Sequence, residues 1–181
     1  MALRLFRTTG YSTLLMPGES RIAPHPARIV FWASLWIGLA CNVAVWRLLS
    51  GELASARTAL SSAAIMVGGS AMVFSILGWR RTLKPTVTLF LLAATLMACG
   101  LWSQQLPIET LWQAPSRALL PAWASFMRWQ VLALVLVLGL VPIVTVWNMS
   151  MRRLPGPAQM RANMAGAFLA GLVLIAGIVL A

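Results

Sequence analysis

The chain has 181 residues, of which 60% are hydrophobic and only 9% are charged. Soluble domains typically contain about 25% charged residues, so this composition predicts a membrane protein and argues against a soluble enzyme domain. The formal net charge of +11 comes from 14 lysines and arginines against 3 acidic residues. Because the cations cluster in short segments beside apolar runs, they indicate membrane topology and contact with anionic lipid head groups, and not nucleic-acid binding.

Five apolar runs follow an N-terminal segment, 1–28, whose apolar pieces are too short for the core of a cleavable signal peptide. A helix needs about 20 apolar residues to cross a bilayer. The runs that meet this length are 29–49, 58–79, 86–106, 129–149 and 162–181. The sequence therefore predicts an all-α polytopic membrane protein with a bundle of five transmembrane helices after a cytoplasmic segment.

Asn42 is the one strongly polar residue well inside the first predicted span. Such a group either hydrogen-bonds a neighbouring helix or belongs to a functional site, so Asn42 is a candidate for both roles. In the second span, small residues share one helical face and predict close packing against another helix. These residues are Ala64, Gly68, Ala71 and Ser75.

The loop from Arg80 to Pro85 joins the second and third spans and has the sequence Arg-Arg-Thr-Leu-Lys-Pro. Three cations in five residues are costly in hydrocarbon, so we expect this loop to stay in the cytoplasm. Pro85 suits the first turn of the third helix, because the N–H that proline lacks would have no partner there.

The longest connection, 107–128, mixes prolines, tryptophans and charges. This mixture predicts one or two short interfacial helices between spans three and four. Glu109 and Arg117 are candidate ligands for a phospholipid head group, since a carboxylate suits an ammonium and a guanidinium suits a phosphate. The alternative is that these charges only mark the membrane interface.

The fourth span has an uninterrupted apolar core that is followed by Pro142, which we expect to kink the helix. Neighbouring helices commonly accommodate such a proline in membranes. In the fifth span, small residues again share one face and predict tight packing against a helix of this chain or of another. They are Ala162, Gly166, Ala170 and Gly177.

Counting cations orients the bundle. The N-terminal segment, the 80–85 loop and the 150–161 loop carry four, three and three, while the two opposite loops with their span ends carry two each. This positive-inside bias predicts a cytoplasmic N-terminus and a C-terminus on the far side. Tryptophans near the ends of the spans predict an aromatic belt at both interfaces, and only Trp36 lies deeper.

Catalytic motifs are absent from the sequence. His25 is the only histidine, and Cys41 and Cys99 fall inside apolar runs, where we expect buried, unreactive thiols. No spacing typical of zinc ligands, phosphate loops or nucleophilic serines occurs. We therefore predict no catalytic residue and no metal site in these residues.

Three elements, taken in order, resemble the N-terminal membrane domain of the lipid A phosphoethanolamine transferases, the family that includes the mobile colistin resistance enzymes. They are Asn42–Arg47 near the outer end of the first span, Leu83–Pro85 at the start of the third, and Leu140–Pro142 in the fourth. The resemblance covers about residues 28–181 and rests on the order, spacing and five-span topology more than on any single motif.

The resemblance implies a bacterial inner-membrane module that binds phosphatidylethanolamine at the periplasmic face for lipid A modification. In that family a zinc-dependent periplasmic domain follows the fifth span and carries the nucleophilic threonine, and Ala181 ends this sequence where that domain would begin. We therefore expect no cofactor in this chain, with zinc only in a catalytic domain, and a separate periplasmic catalytic domain or a homo-oligomer as partner. Glu109 would stand for an aspartate of the family.

Two other classes of function stay open on the sequence alone. One is a small oligomeric membrane transporter or sensor subunit, for which Asn42 and the small-residue faces are the only sequence support. The other is an anchoring subunit without a small-molecule ligand. Because both would work through helix packing, the sequence does not separate them from a phospholipid-binding module.

Overall fold

The structure is a computed structural model that describes residues 24–51, 55–79, 81–104, 113, 128–149, 151 and 154–181. Its α-helices are α1 (Pro26–Leu39), α2 (Val43–Leu49), α3 (Ala56–Ile76), α4 (Leu83–Ser103), α5 (Trp129–Leu134), α6 (Val141–Asn148) and α7 (Gly156–Leu180). A π-helical segment, Val135–Leu140, joins α5 to α6. No strand occurs in the described residues, which are all-α as predicted.

Within the described residues, four helices are long and apolar enough to cross a membrane. They are α3, α4, the continuous run Trp129–Asn148 and α7, and the bent pair α1–α2 makes a fifth if it forms one span. The predicted all-α polytopic bundle is thus confirmed. The fifth span begins at Gly156, before the predicted residue 162, because Pro157 fits the first turn of a helix.

The first predicted span, 29–49, is broken near its middle. α1 ends at Leu39, α2 begins at Val43, and the two helices are bent by 57°. Asn42 lies at the break with extended backbone, φ −99° and ψ 108°, and its side-chain oxygen accepts a hydrogen bond from the Ala44 N–H at 2.9 Å. The sequence predicted a span here but not its break, because mean hydropathy does not register an N-cap inside an apolar run.

The fourth span accommodates Pro142 through the π segment that precedes it. The helical run continues from Trp129 to Asn148, and the Val141 N–H donates to the Leu136 carbonyl, five residues back. A π-helical turn is one of the local adjustments by which membrane helices tolerate a proline. The accommodation expected at Pro142 therefore takes the form of a widened turn.

α1 lies between the two halves of the bundle. On one side it packs against α3, which makes its most extensive contact with α7. On the other side it contacts α4, which packs against the π segment, α5 and α6. The main apolar core joins α1 to both halves and includes Ile37, Phe74 and Leu91.

The small-residue faces of α3 and α7 pack against each other. The sequence predicted close packing for each face but not which helix would be its partner. A Cβ added at Gly68 would lie 2.5 Å from the Leu174 backbone nitrogen, and one at Gly177 would lie 2.8 Å from the Ile65 backbone nitrogen. Such contacts leave no room for a side chain, so the two helices approach backbone to backbone. The partner of the fifth span is the second span of the same chain.

The connection 107–128 lies outside the described residues except for Gln113 and Arg128. The predicted interfacial helices between spans three and four fall there and stay a prediction. Pro85, in contrast, lies in the first turn of α4, as expected.

Candidate functional site

Asn42, the first predicted site residue, uses both ends of its amide within the fold. Its oxygen caps α2 at Ala44, and its nitrogen donates to the Ser62 hydroxyl of α3 at 3.1 Å. The residue is only 4% exposed. The hydrogen bond to a neighbouring helix, one of the two roles expected for Asn42, is therefore present.

A cavity next to Asn42 is too small for a substrate. It has a volume of about 20 Å³ and is lined by apolar residues of α2, α3 and α4. A buried water needs roughly 10–15 Å³, so this space holds about one. Broken helices often line the binding sites of transporters, but the break at Asn42 is closed by packing.

Glu109 and Arg117, the other two predicted site residues, lie outside the described residues. The structure therefore does not bring them together with Asn42, and the head-group site expected in 107–128 stays a prediction.

Two larger clefts open beside α1, one towards each half of the bundle. They lie at the end where α1, α4 and α7 begin and where α3 and α6 end, which we call the basic end. Its described cations are Arg28, Arg81, Lys84 and Arg161. Sequence reasoning missed both clefts, because each is formed by helices that are distant in the chain.

The first cleft, between α1, α4 and α6, is called the α1–α6 cleft and has a volume of about 390 Å³. Its walls are apolar and include Ile29, Leu91 and Val146. Arg28 lines it near the start of α1, and Trp32, which is 64% exposed, stands one turn further along. Among the described residues, the Arg28 guanidinium makes no hydrogen bond or ion pair.

Trp36, which the sequence places deeper in its span than the other tryptophans, lies on the wall of the α1–α6 cleft. Its indole N–H donates to the Leu138 carbonyl at 3.1 Å. In a regular α-helix that carbonyl would accept from residue 142, and proline has no N–H to give. Trp36 therefore satisfies the backbone group that Pro142 leaves free.

Lys84 lies at the basic end of the half of the bundle that contains α4 and α6, and it contacts the end of α6. Its Nζ donates to the carbonyls of Trp147 and Met149 at 3.0 and 2.9 Å, and it lies 5.9 Å from the centroid of the Trp147 ring. The last carbonyls of a helix lack partners and carry partial negative charge. The Trp147 indole N–H in turn donates to the Thr88 hydroxyl at 3.0 Å. Lys84 thus caps the end of α6.

The second cleft, between α1, α3 and α7, is called the α1–α7 cleft and has a volume of about 410 Å³. Its polar residues gather at the basic end. The Gln159 Nε2 group donates to the Gly78 carbonyl at 2.9 Å and to Asn163 Oδ1 at 2.8 Å. Gln159 is only 8% exposed. The predicted start of the fifth span, residue 162, had left Gln159 in a loop.

The remaining titratable residues of the described chain offer no metal centre. Cys41 and Cys99 are buried and unpaired with each other, as expected. His25 precedes Pro26 and caps α1, where its Nδ1 accepts from the Ala27 N–H at 3.2 Å. In the part of the chain that the structure describes, no group of three or more His, Cys, Asp or Glu side chains comes together. The described residues therefore do not fit zinc.

The fold and its clefts define a polytopic α-helical membrane protein whose two lateral clefts flank the first span. The chain matches no protein-family model, no curated protein and no solved structure.

Proposed function

We propose that this protein is a membrane module that binds a phospholipid in the α1–α6 cleft, with the phosphate at Arg28, and that it performs no chemical step with its own residues. The observation that carries the proposal is an arginine without a protein partner in the described chain, at the mouth of an apolar cleft. A guanidinium binds phosphate oxygens through paired hydrogen bonds.

The shape of the cleft supports an amphiphile as ligand. From Arg28 to Trp36, α1 advances about 12 Å at 1.5 Å per residue, which approaches the roughly 15 Å of hydrocarbon in one leaflet. The cleft wall is mostly apolar along this length; Arg28 and Thr145 are its polar residues, and the exposed Trp32 lies near the mouth. Tryptophan prefers the level of the head groups, so an acyl chain would lie inwards of it and a head group outwards.

The proposal puts this lipid in the cytoplasmic leaflet of a bacterial inner membrane. Its support is the sequence bias of ten cations to four, which makes the basic end cytoplasmic. The N-terminus is then cytoplasmic and the C-terminus periplasmic. Reporter fusions at the two termini would check this orientation, and an active periplasmic reporter at the N-terminus would overturn it.

Arg28→Gln tests the phosphate contact. We expect the affinity for phosphatidylethanolamine, measured on the purified protein by native mass spectrometry, to fall about tenfold, since a hydrogen bond to a charged group contributes about 1.5–3 kcal/mol. Arg81→Gln is the matched control, because Arg81 is exposed at the same end and does not line the cleft. Equal loss in the two variants would mean that only the general positive charge matters.

The finer identity, a phosphoethanolamine-transferase-type module for lipid A modification, is proposed on the three sequence elements alone. A head-group site at Glu109 and Arg117 on the periplasmic face belongs to this proposal. Expressed alone in a host without such a transferase, the chain should leave lipid A unmodified. Phosphoethanolamine on lipid A in that host would contradict the absence of a catalytic step. A preference for phosphatidylglycerol over phosphatidylethanolamine would argue against the family assignment.

A further inference from the structure

The α1–α7 cleft is polar at one end and apolar along the rest of its length, which suits an amphiphilic ligand. Gln159, Asn163 and Ser75 line it near the basic end, and Val67 and Val173 line it deeper in the bundle. From Gln159 to Val173 the helix advances about 21 Å, compared with roughly 15 Å for the hydrocarbon of one leaflet. A ligand that filled the cleft would therefore present a polar group at the membrane surface and a long apolar chain towards the middle of the membrane.

The polar end of this cleft carries unused hydrogen-bonding capacity. The Gln159 amide nitrogen donates to two acceptors, and Oε1 has no hydrogen-bond partner in the described chain. Asn163 accepts at Oδ1, and its Nδ2 makes no hydrogen bond among those residues. Gln159 is buried and Asn163 is half-buried. A buried amide is seldom left without a partner, so a ligand that both donates and accepts would complete the two groups.

Ser75 is the sharpest sign of an absent ligand. Several buried hydroxyls donate to their own helix, such as Ser34 to the Val30 carbonyl at 2.7 Å and Ser70 to the Met66 carbonyl at 2.6 Å. The buried Ser61 hydroxyl, like that of Ser75, makes no hydrogen bond within the described residues, but Ser61 does not line the cleft. Ser75 is only 4% exposed and lines the cleft, and its hydroxyl makes no hydrogen bond with any described residue. A buried hydroxyl without a partner is unfavourable, and a bound polar group would offset this cost.

We propose that the α1–α7 cleft is a second lipid site, selective for an uncharged lipid whose head carries a hydroxyl group. A hydroxyl donates to Gln159 Oε1 and accepts from Asn163 Nδ2 or Ser75, whereas a phosphate has no proton to donate. No charged side chain is among the residues that line the cleft in the described chain. A charged head group would therefore be desolvated there without a counter-ion.

Photolabelling tests this site. The probe is diacylglycerol with a diazirine in one acyl chain, added to the full protein in nanodiscs of phosphatidylcholine. We expect unlabelled diacylglycerol to displace the probe, and phosphatidylglycerol and phosphatidylethanolamine to displace it poorly. The label should map to the α7 residues 159–173.

Ser75→Ala is the decisive variant. It should weaken probe binding about fivefold, the effect of one ordinary hydrogen bond, without lowering the melting temperature, because the hydroxyl has no partner to lose among the described residues. Ser70→Ala is the matched control, since that buried hydroxyl bonds its own helix and does not line the cleft. It should bind the probe as the wild type does.

Three results would overturn the proposal. They are wild-type binding by Ser75→Ala, equal displacement of the probe by phosphatidylglycerol, and a label confined to residues 128–149 on the other side of α1. Arg28→Gln should leave diacylglycerol binding unchanged, because Arg28 lines only the α1–α6 cleft of the two. Failure of this proposal is therefore separable from failure of phospholipid binding at Arg28.

Discussion

The two sides of α1 hold their helices together by different means. On the α3–α7 side, glycines let the backbones meet, and a Cβ at Gly68 would lie 2.5 Å from a backbone nitrogen of α7. On the α4–α6 side, long side chains reach backbone carbonyls, as Trp36 does at Leu138 and Lys84 does at Trp147. One side depends on the absence of side chains and the other on their presence.

The two modes of packing are those available to helices whose surroundings are lipid and not water. Burial of apolar surface does not drive helices together in lipid, because lipid tails are as apolar as leucine. What remains is close van der Waals packing and hydrogen bonding between helices, and each side of α1 relies on one of the two. We therefore expect the α3–α7 side to be sensitive to added volume and the α4–α6 side to lost donors.

The largest effect is expected from one methyl group at Gly68. In Gly68→Ala the new Cβ would lie 2.5 Å from the Leu174 nitrogen and 2.9 Å from the Ala170 carbonyl oxygen, so the backbones must separate. We expect a loss of about 2–3 kcal/mol in unfolding free energy, the upper range for overpacking, measured by thermal or denaturant unfolding in detergent.

The neighbouring glycine supplies the control. A Cβ at Gly69 meets nothing within 4 Å, so Gly69→Ala should be neutral or stabilising by up to about 1 kcal/mol through helix propensity. Equal destabilisation by the two variants would show that the α3–α7 contact is not the cause.

A smaller effect is expected at Trp36. Trp36→Phe keeps an aromatic ring but leaves the Leu138 carbonyl without its donor, and we expect a loss of about 1 kcal/mol, as for other hydrogen bonds between membrane helices. In a Pro142→Ala background, residue 142 regains an N–H that can bond the same carbonyl. The cost of Trp36→Phe should then shrink, and a double-mutant cycle measures the difference.

Additivity in that cycle would contradict the pairing of Trp36 with Pro142. It would show that Trp36 contributes only by filling space on the wall of the α1–α6 cleft. The comparison between the two sides of α1 would then fail, because both sides would depend on packing alone.

The sequence predicted one side of this comparison better than the other. The small-residue faces of α3 and α7 repeat with the helical period, so the amino-acid sequence alone assigns Gly68 and Gly166 to packing surfaces. Repetition along one helix is visible in the chain itself. The pairing of α3 with α7, and not with another copy of the chain, depends on how the helices dock and has no signal in either repeat.

The α4–α6 side could not be predicted in the same way, because its contacts join residues that are far apart in sequence. The bond from Trp36 to Leu138 depends on how two helices dock. Lys84 was assigned to topology alone, and nothing in its sequence neighbourhood points to the end of α6. The N-cap role of His25, in contrast, could have been predicted, since a polar residue directly before Pro26 is a recognisable N-cap pattern.

In the candidate site, too, features of the local sequence were predictable and contacts between distant residues were not. Asn42 was identifiable as the polar residue of an apolar span, but its roles as a cap for α2 and as a donor to Ser62 follow from the break in the helix. Both clefts arise between helices distant in sequence. The Ser75 hydroxyl lacks a hydrogen-bond partner among the described residues, and nothing in the sequence signals this. It resembles every other serine in a helix until its surroundings are known.

The smallest effect is expected at Lys84, and it carries a signature that the α3–α7 side lacks. Lys84→Met keeps the length of the side chain but removes the donor to Trp147 and Met149, so we expect a loss of about 0.5–1 kcal/mol at low ionic strength. Lys84 is half-buried at the membrane surface, and salt screens an exposed charge near a helix terminus. The difference in unfolding free energy between Lys84→Met and the wild type should therefore narrow as salt is raised, whereas that of Gly68→Ala should not.

The control is Arg81→Met, at an exposed position of the same end, which should change stability little at any ionic strength. An effect of Lys84→Met that is independent of salt would point to packing against the Trp147 ring, and not to the capped carbonyls.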